Sequence, residues 1–125
     1  MIGRYRIVRG VRPAQDPLPE GLRQDTRKHT RHVLRPSAEL VTRFLAQPSE
    51  AGFAAFRAGY LHLLEQRFAR ERAAFDTLRD QARRGDVFLG CNCPTAKQPD
   101  VHRCHTVLAL GFLAQHYPEL EVRWP

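Results

Sequence analysis

The spacing of apolar positions changes several times along the chain, and each change marks an element. Tyr5-Arg6-Ile7-Val8 alternates polar and apolar residues between Gly3 and Gly10, which predicts a short strand at the start of a sheet. From Val11 to Pro36 the chain carries Pro13, Pro17, Pro19, Gly21 and Pro36 with little apolar periodicity, so 11–36 reads as a long basic, Pro-rich loop of functional character. Ser37 is placed to cap a helix in which Leu40, Val41, Phe44 and Leu45 share a face before Gln47-Pro48 ends it. Ser49 caps the next helix. There Phe53, Phe56, Tyr60, Leu63 and Leu64 recur at threes and fours, and Phe75, Leu78 and Ala82 continue the spacing towards Arg83-Arg84-Gly85, with a break expected in the charged stretch 67–72. An aromatic stripe at this spacing is expected to be core rather than a stacking surface.

Gly85 closes that helix, and Val87-Phe88-Leu89 follows as the compact apolar run of a buried strand. Pro99-Asp100 reads as a helix entry with Asp100 as cap. Val101, His105, Leu108, Phe112 and Leu113 give this helix an apolar face ending near His116 and Pro118, and Glu121-Val122-Arg123-Trp124 reads as a last strand. The order predicts a small single α/β domain spanning 1–125, with a short, mostly parallel sheet of about three or four strands flanked by helices. In such sheets ligands bind beyond the carboxyl ends of the strands.

Composition refines the picture in two respects. The longest apolar stretch, Val107 to Ala114, is far too short to cross a bilayer, and Met1-Ile2-Gly3-Arg4 begins no signal-peptide core, so a cytoplasmic protein with no membrane association is expected. The net charge of +7 is unevenly distributed: residues 1–43 hold ten Lys or Arg against four acids, and the remainder holds ten against nine. A basic segment of this kind suits nucleic acid or another phosphate-bearing anion, with Arg23, Arg27, Lys28, Arg31 and Arg35 as the contacting residues. Solvated arginine-rich faces are the plain alternative.

The chemistry concentrates in one place. Cys91, Cys93, His102, Cys104 and His105 fall within fifteen residues, with Cys91 and Cys93 at the carboxyl edge of the predicted strand and the others at a helix start. Three clustered cysteines argue for reduced thiols rather than a disulfide framework. Zinc takes four N or S ligands, and Cys91, Cys93, Cys104 and His105 supply them, with His102 as a substitute. On a helix capped by Asp100, Cys104 points about a quarter turn from His105, so not all five converge.

A second reading makes Cys104 a nucleophile, activated in the first turn of a helix, with His105 as base and Arg103 binding the anion of a phosphorylated or nucleotide substrate. A redox couple of Cys91 and Cys93 is disfavoured, because one intervening residue strains the disulfide. The plainest readings are buried small thiols and an interaction protein without chemistry. His29, His32, His62 and His116 stand alone and read as structural. Gly-rich phosphate loops, Gly-x-Ser-x-Gly elbows and paired-carboxylate signatures are lacking.

The helix entry Arg35-Pro36-Ser37-Ala38-Glu39-Leu40, the Phe56-Arg57-x-x-Tyr60 pattern, the helix end Ala82-Arg83-Arg84-Gly85 and the strand and helix that follow resemble the YeaO-like family of small bacterial proteins, from about Leu34 to Leu120. Cys91 and Cys104-His105 are similar to a cysteine-bearing branch in which a cysteine ends the strand and Cys-His-Arg opens the helix. Thr106 stands where that branch has Arg, and the N-terminal third matches only the first strand. The resemblance implies a small α/β fold and brings no reaction with it.

Overall fold

The computed structural model describes residues 1–125. Its sheet is wholly parallel and has three strands, β1 (Ile2–Arg6), β2 (Leu22–Asp25) and β3 (Val87–Cys91), in the order β1-β3-β2. β3, buried along its whole length, is central because an all-apolar strand needs neighbours on both sides. Val122 pairs with Ile2 in a single parallel bridge, flanked by hydrogen bonds from Ile2 N to Glu121 O and from Arg123 N to Ile2 O, both 2.9 Å. The expected last strand is thus reduced to one bridge beside β1.

Four α-helices follow the sequence pattern closely. α1 (Ala38–Ala46) is capped by Ser37, whose hydroxyl accepts from Leu40 N, and α2 (Glu50–Arg70) by Ser49, which accepts from Gly52 N. The break falls at Glu71, and α3 (Arg72–Arg84) carries Phe75, Leu78 and Ala82 inward. α4 (His105–His116) packs against β1 and β3 on one side and α2 on the other. The core runs from Ile2, Val87 and Leu89 of the sheet through Leu110 and Leu113 of α4 to Tyr60 and Leu64 of α2. No helix is long and apolar enough to cross a membrane.

Three expectations are corrected. The first strand lies at Ile2–Arg6 rather than 5–8, because the wholly buried Ile2 pairs with Val87 and sets the register. The stretch 11–36 is not all loop: Leu22-Arg23-Gln24-Asp25 forms β2 at the sheet edge, where one flank meets solvent and no apolar alternation is required. The helix expected from Asp100 is interrupted. Asp100 caps only a 3-10 turn, Val101–Arg103, and Cys104 adopts extended dihedrals (φ −76°, ψ 144°) before α4 begins, so Cys104 occupies the N-cap position of α4 rather than its first turn.

Candidate metal centre

Cys91 is the last residue of β3, Cys93 lies just beyond it, and Cys104 sits at the N-cap of α4. Because Cys104 is extended, its side chain turns back to the strand end. The three sulfurs lie within 4.8 Å of one another, with Cys91 and Cys104 buried, Cys93 half-buried and all three thiols free. Tetrahedral thiolates about 2.3 Å from zinc stand roughly 3.8 Å apart, so the trio needs little movement to close on an ion. Soft sulfur donors suit zinc or other thiophilic metals, not magnesium or calcium.

His105 touches the trio through Nδ1, which is 3.9 Å from Cys104 Sγ. Its other nitrogen is fixed. Thr26 Oγ1 donates its one proton to Gly90 O at 2.9 Å, so His105 Nε2–H donates to Thr26 Oγ1 (2.9 Å) and Thr26 O (3.1 Å). The Nδ1 lone pair is thereby left facing sulfur, an arrangement that orients imidazole for a metal. His102 is placed elsewhere: it is exposed and its ring pairs with Asp100 at 3.3 Å.

A polar shell that the sequence does not announce holds the cysteines. The Thr106 hydroxyl, fully buried, donates to Cys104 Sγ at 3.1 Å and accepts from Arg4 Nε at 2.9 Å. Arg4 Nη2 also donates to the carbonyl of Cys93 at 2.7 Å. Donation from Cys91 and Cys93 holds the Cys104 thiol well below its ordinary range against the effect of burial, and His105 adds to this. Cys93, donating to Cys104 and Cys91, is pushed up. Burial lowers His105, but hydrogen bonding to Cys104 and Cys91 and their charge outweigh it and raise the imidazole to about 9. This balance favours a shared thiolate charge with a proton on Nδ1 of His105, and a metal would take the place of that proton and free the lone pair that faces sulfur.

The cysteines and His105 form one wall of a cavity of about 340 Å³. Four cations, Arg27, Lys28, Lys97 and Arg103, also line it, and no carboxylate does. Arg27 is engaged with Asp25 through Nε (3.0 Å) and Nη2 (2.8 Å) and with Asn92 Oδ1 (3.2 Å). Arg103 Nε lies 3.8 Å from Asp100 and its guanidinium stands 5.6 Å from the Phe53 ring centre.

The expected basic surface is divided. Arg27 and Lys28 reach the cavity, whereas Arg23 and Arg31 are exposed outside it, Arg23 donating to Pro19 O, and Arg35 donates to His32 O. Of the residues assigned to thiol chemistry, Cys104, His105 and Arg103 all line the same cavity. Compared with family models, curated proteins and solved structures, the chain matches none of them.

Proposed function

We propose that this chain is a YeaO-like cytoplasmic zinc protein in which Cys91, Cys93, Cys104 and His105 hold the ion and the cationic mouth draws in nucleic acid or another phosphate-bearing anion. The convergence of three sulfurs within 4.8 Å carries the reading. Support for the fourth ligand comes from the Thr26 hydrogen bonds that leave Nδ1 of His105 facing Cys104. Support for the anion comes from a lining with four cations and no acid. Free thiols suit a reducing compartment.

Elemental analysis of the purified chain beside Cys91→Ser and Cys104→Ser variants tests the metal. About one zinc per chain in the parent and none in either variant is the expected result; a metal-free parent overturns it. For the anion, affinity should fall steeply with salt and on removing Lys28.

One observation favours a second reading. Cys104 receives the Thr106 hydroxyl and faces an imidazole, with Arg103 across the same cavity, which suits a thiol enzyme acting on a phosphorylated or nucleotide substrate. Alkylation separates the two: a metal centre protects all three cysteines until a chelator is added, whereas a nucleophile reacts alone and without chelator.

A further inference from the structure

The cavity beside the cysteines has features that a metal does not use. Lys28 and Lys97 line it without any ion pair or hydrogen bond from their ammonium groups. Phe44 and Phe56, which also line it, stack on each other with ring centres 5.3 Å apart and supply apolar surface. Gln98 is a further lining residue. It is only 8 % exposed, and its side-chain amide makes no hydrogen bond within the protein, although its backbone is tied to Thr95 in both directions. Donor and acceptor of that amide are thereby left free to bond with whatever enters the cavity.

We infer that the cavity is a binding site for a nucleoside monophosphate. The base lies along the Phe44–Phe56 wall, the Gln98 carboxamide pairs with its edge as donor and acceptor, and the phosphate is held by Lys28 and Lys97 with Arg103. The volume of about 340 Å³ admits a single nucleotide but not a folded or double-stranded nucleic acid. Stacking on aromatic rings and amide readout of a base edge are the ordinary means by which proteins hold an unpaired base. The inference rests on the anion half of the reading above and not on zinc, since none of these residues belongs to the cysteine trio.

Calorimetric titration of the full-length protein with the four ribonucleoside monophosphates, with inorganic phosphate and with the four nucleosides tests it, at low salt and both before and after chelator treatment. The expected result is saturable binding of at least one monophosphate, at least tenfold tighter than inorganic phosphate or the matching nucleoside. Loss should be at least tenfold in the Lys28→Ala/Lys97→Ala double variant, whose substitutions are at exposed positions. Gln98→Leu should narrow the differences among the four bases and leave the contribution of phosphate in place. Equal binding of phosphate and nucleotide, unchanged affinity in the lysine variant, or no nucleotide binding at all overturns the inference. Salt-dependent binding of an oligonucleotide without any mononucleotide binding would also overturn it while leaving the surface reading intact. Metal content is scored separately, so failure of the zinc assignment and failure of the nucleotide site are distinguishable.

Discussion

The Thr106 hydroxyl donates to the sulfur of Cys104 at 3.1 Å while accepting from Arg4, so a residue of α4 and a residue of β1 together fix the direction of one thiol. Thr106→Val keeps the shape of the side chain and removes the donor. Zinc affinity, measured by competition with a chelating dye, should fall by about 10- to 100-fold, the usual effect of losing an outer-shell partner, with the fold retained. An unchanged affinity would mean that Thr106 serves packing alone.

His105→Gln tests the proposed fourth ligand. Gln places its amide nitrogen where Nε2 donates to Thr26, yet offers nothing at the Nδ1 position facing Cys104. Metal affinity should drop by more than the roughly 100-fold upper limit expected of an outer-shell change, with circular dichroism preserved. Full zinc retention would leave three thiolates and an exogenous fourth ligand.

His32 carries a pH dependence. Its Nδ1 accepts from Leu34 N at 3.1 Å, which puts the proton on Nε2, bonded to Gln24 Oε1 at 2.6 Å. Burial, aided by the charge of His105 and Arg35 and opposed by Asp25, lowers the imidazole to about 4. Since the folded state binds this proton less readily than the unfolded chain, the stability is complete above about pH 6.5 and is lost as pH falls towards about 4, by roughly 2–3 kcal/mol after allowing for partial exposure. His32→Asn keeps an acceptor for Leu34 and should flatten the melting temperature across that interval. Equal slopes in both proteins would remove His32 as the source.

Two side chains of α2 hold the segment that leads into α1. Tyr60 donates to Leu34 O at 2.6 Å, and Arg67 Nη1 donates to Val33 O (2.8 Å) and Arg35 O (2.5 Å). Tyr60→Phe should cost about 1–2 kcal/mol, and Arg67→Leu about 2–4 kcal/mol, because the second leaves two carbonyls without a donor. Urea unfolding measures both; a loss for Arg67→Leu no larger than for Tyr60→Phe would show that water replaces the guanidinium.

The helices and the central strand were legible because their signals are local. Ser37 and Ser49 mark the helix starts, Gln47-Pro48 marks a stop, and a continuous apolar run spans Val87–Leu89. β2 was not legible, since an edge strand reading Leu-Arg-Gln-Asp has no buried face to pattern and exists through its ladder to β3. The cysteine trio could be anticipated from spacing, but not the turn at Cys104 that brings its sulfur home, nor Arg4, Thr26 and Gln98. Those residues are joined to the site by tertiary contacts, which leave no period in the sequence. The spacing of the aromatic stripe marks it as core, and Phe56 is both buried and part of the cavity wall.

The strand order β1-β3-β2 has a kinetic meaning. β1 and β2 emerge early in synthesis, but each pairs with β3 and not with the other, so the sheet waits until Val87–Cys91 has been made. Arg4 meets Thr106 still later. Contacts so distant in sequence make for slow closure, and although the three cysteines are near neighbours in the chain, the His105 ring is fixed by Thr26, 79 residues away, only once β2 has joined. An ion captured at that point is bound after the folding barrier has been crossed. Zinc should therefore leave the refolding rate nearly unchanged and slow unfolding instead, making the metal a latch on the finished chain rather than a seed for its assembly.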